Sequence, residues 1–232
     1  MILLYLFCLI PILCQCQQYN LLLPGHPPFT TRIIGNKEIV RENHPFMGTF
    51  SKISINGVFN VQLIYNDDEN DNTTFVEIET DKNLQQFVLV EIQTSDTLII
   101  RMKNEMNYNT NNIHSTNMTV YIKYKYLKQL DINGLVNLEC LNQIQTEQFI
   151  FHNKGTGSVK LKLNVNYFDA FLHSIGPVKF CGQINDEATL TYIGVGDIDC
   201  SNLMTKKINV ISSGIGNVHV VAADEINVTL SG

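Results

Sequence analysis

The chain has 232 residues, of which 44% are hydrophobic and 16% charged, and it contains no Trp. This composition excludes a disordered chain, and the length suffices for one sizeable core. The 22 acidic residues outnumber the 16 lysines and arginines and give a net charge of −6. A nucleic-acid-binding protein typically carries a basic stripe, so no nucleic-acid partner is expected.

The N-terminus, MILLYLFCLIPILCQCQQ, is an apolar run followed by polar residues. The run is too short to span a bilayer comfortably and contains Pro11. Cys14 and Cys16 are small residues placed as a signal peptidase requires for a cut before Gln17. We therefore predict a cleaved signal peptide at residues 1–16, a secreted or surface location, and no transmembrane segment in the mature chain.

The sequons are a further feature typical of a secreted protein, and the cysteine count limits its disulfides. Three Asn-X-Thr sequons predict N-glycosylation at Asn72, Asn117 and Asn227. After signal removal three cysteines remain, Cys140, Cys181 and Cys200. An odd number of cysteines excludes a fully paired intrachain disulfide framework.

Residues 17–45 show no sustained periodicity and are predicted to be an N-terminal extension or linker. From Phe46 onward short apolar or alternating segments follow one another, separated by turn-rich pieces such as NDDENDNT. No segment has a helical period. We predict one all-β domain over residues 46–232.

The stretches SINGVFNVQL (Ser54–Leu63) and DINGLVNLEC (Asp131–Cys140) are nearly copies of each other, and the second begins an internal repeat. Glycines aligned along the repeat lie 18–21 residues apart, ending with a partial copy at Gly232 that suggests an incomplete end. A period near twenty made of strand and turn predicts a β-solenoid, in which each copy is one coil. The predicted corner glycines are Gly57, Gly134, Gly155, Gly157, Gly176, Gly194, Gly196, Gly214 and Gly216.

The alignment places apolar residues four positions before and four positions after each aligned glycine, as inward-pointing positions of stacked strands require. Leu130, Phe151, Leu172, Leu190 and Val210 form the first set, and Leu138, Val159, Phe180, Ile198 and Val218 the second. A second glycine follows two positions later in three coils, which indicates a tight corner.

The chain resembles the putative auto-transporter adhesin head GIN domain family from about Phe46 to Gly232. The likeness lies in FSKISINGVFNVQL, TFVEIETDKNLQQFVLVEI and TLIIRM, followed by coils of alternating polar and apolar residues ending in Gly-x-Gly-x-Val. The resemblance implies a parallel, right-handed β-helix-like solenoid in a secreted or surface-attached protein. It assigns no catalytic residues.

Outward columns of the coils are candidate binding positions. Asp131, His152 and His173 lie three positions before their glycines and are predicted to form a ladder. Two imidazoles and a carboxylate suit a metal, although tetrahedral zinc needs further ligands; the alternative is a solvated column of surface residues. Further columns predict charge pairs of Glu139 with Lys160 and of Lys179 with Asp197.

The sequence favours an adhesin-like, non-catalytic binding or structural module that needs no cofactor. Its partner would be a glycan or a cell-surface protein, and its open edge would allow self-association. GVGDIDC (Gly194–Cys200) is a single imperfect copy of a calcium-binding Gly/Asp repeat. The alternative function is a polysaccharide hydrolase or lyase on the same fold, with Asp197 and Asp199 as paired carboxylates.

Overall fold

The computed structural model describes residues 33–93, 96–103, 113–115 and 117–231. The predicted signal peptide and residues 17–32 of the predicted extension lie outside these ranges. Within them the protein is all-β, with fifteen strands and one short 3-10 helix at Lys82–Phe87. Alternating apolar and polar residues produce the strands, because one side chain in two points into the core.

The strands, in chain order, are β1 (Ile33–Ile34), β2 (Ile39–Asn43), β3 (Lys52–Tyr65), β4 (Phe75–Asp81), β5 (Val88–Gln93), β6 (Thr97–Met102), β7 (Ile113–His114), β8 (Thr119–Tyr124), β9 (Gln129–Cys140), β10 (Ile144–Asn153), β11 (Val159–Leu172), β12 (Val178–Tyr192), β13 (Ile198–Ser212), β14 (Val218–His219) and β15 (Ala222–Leu230). β1 pairs with β7, and the other thirteen strands form one sheet. Strands β1 and β2 therefore fall within the stretch predicted as a linker, where five-residue β2 pairs antiparallel with β4.

The two similar stretches recognised in the sequence are neighbours in space. Strand β3 pairs parallel with β9, residue for residue, from Lys52 opposite Gln129 to Leu63 opposite Cys140. Gly57 thus lies opposite Gly134. The other edge of β3 pairs in parallel with β6 at Lys52–Asn56 and with β8 at Asn60–Tyr65. Antiparallel strands β5, β4 and β2 complete that end of the sheet.

From β9 onward the strands stack in parallel in chain order, β9–β10–β11–β12–β13, with β15 on β13. Partners in one column are 17 to 21 positions apart in the sequence. One inward column runs through Leu130, Phe151, Ala170, Leu190, Val210 and Val228. The predicted period is therefore the spacing between hydrogen-bonded strands.

The predicted alignment is wrong by two residues at the third copy. Ala170, not Leu172, occupies the column of Phe151 and Leu190, and Val178, not Phe180, occupies that of Val159 and Ile198. The reason is that Ser174 stands at the first corner position. An added Cβ on Gly194 would meet the Ser174 carbonyl oxygen, as one on Gly155 would meet that of Gly134. Gly176 instead belongs with the second glycines, Gly157, Gly196 and Gly216.

Between the two corner columns one residue of each copy points outward. These residues, which we call the corner ridge, are joined by parallel bridges and comprise Leu135, Thr156, Ile175, Val195 and Ile215. The four apolar members are 46–73% exposed. The backbone hydrogen bonds of the ridge continue from copy to copy, as from Ile175 N–H to Gly155 O and from Val195 N–H to Ser174 O.

A single hydrophobic core extends from Phe50 to Val210. Its largest fully buried side chains include stacked and edge-on aromatic rings, such as Phe149 on Phe168 and Phe168 against Phe180. The inward side chains of successive strands thus form one continuous interior. This interior fixes which side chains point outward.

Candidate functional site

Three neighbouring strands, β10, β11 and β12, present a continuous set of outward side chains that we call the outer face. Its central row, on β11, contains Tyr167, Asp169 and Phe171, which alternate with buried Phe168 and Ala170. Strand β10 contributes Gln148, Ile150 and His152 on one side, and β12 contributes Glu187, Thr189 and Thr191 on the other. The in-register pairing holds these rows about 4.8 Å apart.

Asp131 and His152 form an oriented pair at one end of the outer face. His152 Nδ1 lies 2.7 Å from Asp131 Oδ1, and both side chains are about one-third exposed. Gln129 Nε2 donates to both oxygens of the same carboxylate, at 2.8 and 3.1 Å. With Nδ1 donating to the carboxylate, Nε2 of His152 is the ring nitrogen left for a ligand.

The predicted ladder of Asp131, His152 and His173 is correct for its first two members only. Phe171, not His173, is the neighbour of His152 on β11, and its ring meets the imidazole edge-on with centroids 5.0 Å apart. His173 lies two residues further on, beyond the end of β11, and its backbone N–H donates to Asn153 O. The two-residue error of alignment at Gly176 accounts for this difference.

His173 nevertheless lies close to His152, because both residues line a shallow groove of about 250 Å³. The groove is lined by His152, Lys154, Phe171, Leu172, His173, Thr191 and Ile193. Phe171 and Ile193 are 47% and 45% exposed, so the groove offers apolar surface with imidazole and hydroxyl groups at its rim. Such a mixture is typical of ligand-binding depressions.

A second depression of about 310 Å³ adjoins the first along β11. Its lining is mainly polar and consists of Gln148, Tyr167, Asp169, Glu187 and Thr189. Tyr167 is 44% exposed. Glu187 accepts a hydrogen bond from Asn209 Nδ2 at 2.5 Å, which orients its carboxylate.

Tyr167, Asp169 and Phe171 are not among the site residues predicted from the sequence. A signal for them was available in NYFDAFL, where Phe168, Ala170 and Leu172 alternate with the three outward residues. Aligning SIG (Ser174–Gly176) residue for residue with GTG, GVG and GIG brings Phe171 beside His152. The column of outward residues then follows directly.

Asp197 and Asp199 lie outside the outer face: Asp197 directly precedes β13, and Asp199 is the second residue of that strand. Asp197 Oδ1 accepts from the backbone and side chain of Asn217, at 2.8 and 3.2 Å. Lys179 pairs with Asp199 at 3.0 Å, which corrects its predicted pairing with Asp197. The predicted pair of Glu139 and Lys160 is present, at 3.8 Å.

The environment of Asp199 does not suit a general acid. Hydrogen bonds from the Ser201 hydroxyl and backbone N–H, together with Lys179, hold the pKa of the Asp199 carboxyl well below its usual range. A general acid of a glycoside hydrolase needs the opposite shift. This environment disfavours Asp199 as a general acid and leaves its carboxylate paired with Lys179 and Ser201.

The three cysteines in the described ranges, Cys140, Cys181 and Cys200, are free, and two of them lie in surroundings that suppress thiol ionisation. Burial raises the pKa of the Cys140 thiol to about 11 and that of Cys200 to about 12. Both behave as small apolar side chains. Cys181 is half-buried, with its Sγ 3.6 Å from Leu161 O.

All three sequon asparagines are exposed. Asn72 lies between β3 and β4, Asn117 immediately precedes β8, and Asn227 lies on β15. Asn117 Nδ2 donates to Thr119 of its own sequon, and Asn227 Nδ2 donates to Asn209 and Glu225. Glycosylation at the three sites stays a prediction.

In the described ranges, no three His, Cys, Asp or Glu side chains are grouped so that they could hold a metal ion. The Asp131–His152 pair thus lacks a third ligand of these types. Over the same part of the chain, no helix is long and apolar enough to cross a membrane.

Comparison with protein families places most of the chain in a single group. The family described as putative auto-transporter adhesin, head GIN domain, matches residues 49–232. No curated protein is similar enough in sequence to match.

Several solved structures share the fold. A putative adhesin from Bacteroides fragilis NCTC 9343 aligns with a TM-score of 0.76 at 22% identity, over 85% of this chain and 87% of that one. A putative lipid binding protein from Parabacteroides distasonis ATCC 8503 aligns with a TM-score of 0.52 at 16% identity, over 87% and 98%. A putative adhesin from Parabacteroides merdae ATCC 43184 aligns with a TM-score of 0.50 at 16% identity, over 85% and 97%.

Proposed function

The chain belongs to the putative auto-transporter adhesin, head GIN domain family, and from this premise we propose that it is a secreted or surface-exposed, adhesin-like binding module without catalytic activity. Its partner in this proposal is a glycan or a cell-surface protein. The name of the family and the signal peptide predicted at residues 1–16 support the location.

We further propose that the parallel strands wind as a right-handed β-helix-like solenoid. Two features support this winding: strands adjacent in sequence pair in parallel from β9 to β13, and every copy repeats the same corner. Parallel crossover connections are right-handed in nearly all proteins, because of the intrinsic twist of the strand. A solenoid presents long flat faces to a partner.

The observation that carries the binding proposal is the outer face. It combines exposed aromatic rings with a carboxylate-oriented imidazole, beside two adjoining depressions on rigid strands. A rigid sheet positions such side chains at little conformational cost on binding. Electrostatics at Asp199 favour a role in stability rather than in hydrolysis.

The test is retention of the full, secreted chain on immobilised glycans and on intact cells, combined with an assay for released sugar. We expect saturable binding with no product. Turnover of a polysaccharide that disappears in Asp197→Asn would contradict the proposal, and so would failure of every glycan and cell surface to retain the chain.

A further inference from the structure

The two exposed aromatic rings of β11 lie on the same side of one strand, four residues apart. Alternate residues of a strand point the same way and advance about 6.6 Å, so Tyr167 and Phe171 are separated by about 13 Å along β11. Asp169 lies midway between them and projects in the same direction. The row on the outer face therefore consists of an aromatic ring, a carboxylate and a second aromatic ring.

Hydrogen-bonding groups line both sides of this row. Glu187, Thr189 and Thr191 on β12 face it from one side. Gln148 and His152 face it from β10, where Gln148 Nε2 makes a long contact of 3.4 Å with Asp169 Oδ2. These carboxylate, hydroxyl, amide and imidazole groups accept and donate hydrogen bonds in the plane flanking the rings.

The pattern fits one chemical class of ligand. A pyranose ring has apolar C–H faces that pack on aromatic rings, while its equatorial hydroxyls reach sideways to carboxylates and amides. Lys154 and the imidazole of His152 lie at one end of the row, whereas the carboxylates of Asp169 and Glu187 occupy its centre and other end. Lys207 on β13 is the register neighbour of Glu187, but its charge is paired with Glu225 at 3.2 Å. An acidic polysaccharide is thus disfavoured by like charge, and a neutral one is not.

We propose that the outer face is a platform for an extended, neutral, β-1,4-linked oligosaccharide that lies along β11. Tyr167 and Phe171 stack on two non-adjacent sugar residues, and Asp169 and Glu187 accept hydrogen bonds from hydroxyl groups. His152, oriented by Asp131, donates or accepts through Nε2 at the Phe171 end. A β-1,4 chain is an extended ribbon, and its extended shape suits a row of side chains along one strand with in-register neighbours on both sides.

This inference rests on the proposed function, since it names the ligand class of that same face. Its test is a calorimetric titration of the full chain with cello- and chito-oligosaccharides, from the monosaccharide to the hexasaccharide. We expect affinity to rise with length until the ligand spans both rings. Phe171→Ala and Tyr167→Ala should each weaken binding of the hexasaccharide roughly tenfold or more, as expected for aromatic anchors.

The dependence of affinity on oligosaccharide length distinguishes the loss of one aromatic ring from the loss of folding. In Tyr167→Ala the gain in affinity between short and long ligands should disappear, while short ligands bound at Phe171 are retained. Tyr126→Ala is the matched control, because Tyr126 is 66% exposed and lies between β8 and β9, away from the row. Melting temperatures of all variants should lie within about 4 °C of that of the native chain.

Three outcomes overturn the platform: equal affinity of native chain and both variants, affinity independent of ligand length, or binding only to phosphatidylcholine vesicles or to protein. If cells or other glycans retain the chain and the variants are retained equally, the platform alone is wrong. If no surface retains the native chain, the proposed function fails as well.

Discussion

At the scale of single residues, the stacked corners depend on the absence of a Cβ. Gly196 has a φ of 140°, and an added Cβ would lie 2.4 Å from the carbonyl oxygen of Gly176 in the neighbouring copy. That oxygen is backbone and has no freedom to rotate away. Ser174 occupies the first corner position, where the neighbouring copies have Gly155 and Gly194. Its hydroxyl is buried there and has no hydrogen-bond partner within the described residues.

We predict that Gly196→Val lowers the free energy of unfolding by about 3 kcal/mol, from backbone strain and displacement of the neighbouring corner. Lys160→Ser serves as the control and should change it by less than about 0.5 kcal/mol, because Lys160 is exposed and its ion pair with Glu139 is weak. Urea denaturation of both variants provides the measurement. Equal midpoints would refute the stacking of the corners.

At the scale of the element, β11 shows which structural features the sequence predicts well and which it does not. Strand character and the buried set follow from alternation, since each inward residue must be apolar. The register between copies does not follow as securely, because copies differ in length at the corner and one misassigned glycine shifts a whole strand. The sequence therefore predicts the neighbouring positions of Asp131 and His152 correctly. It does not predict Phe171 beside His152, because Gly176 is assigned to the wrong glycine column.

The same strand gives a prediction in which two phenylalanines behave oppositely. Phe168 is 1% exposed, stacked on Phe149 at 5.8 Å and edge-on to Phe180 at 5.1 Å, so Phe168→Ala should cost about 3–5 kcal/mol through the cavity it leaves. Phe171→Ala should cost about 1 kcal/mol or less. Chemical denaturation distinguishes them. A larger loss at Phe171 would mean that the strand faces the other way.

At the scale of the whole molecule, exposed ion pairs link neighbouring strands and connecting segments. Lys123 with Asp71, Lys179 with Asp199, and Lys207 with Glu225 have N–O distances of 2.8–3.2 Å. Hydrogen bonds and these lysines lower the pKa of all three carboxyl groups below their ordinary values of 3.8 for Asp and 4.5 for Glu. Screening by solvent keeps each contribution small.

The sign of the pH dependence follows from these shifts. In the unfolded chain the three carboxyl groups bind protons more readily than in the folded protein, so their stabilisation is complete above about pH 5 and is lost as the pH falls toward the lowered values. We predict a falling melting temperature between pH 5 and pH 2, and a shallower fall in Asp199→Asn. Calorimetric scans across this range test it; identical pH profiles for the two proteins would show that Asp199 contributes nothing.

In the corner ridge, the backbone holds the corner together and the side chains form its exposed surface. Backbone hydrogen bonds and neighbouring glycines fix its path, with a glycine on both sides of Thr156, Val195 and Ile215 and on one side of Leu135 and Ile175. The side chains of all five residues project into solvent, outside the core. Any residue that tolerates extended backbone is therefore compatible with the corner. The ridge is a row of freely variable positions at intervals of about 4.8 Å, so related chains can diversify there, or a designer can display a chosen epitope there, without changing the fold beneath it.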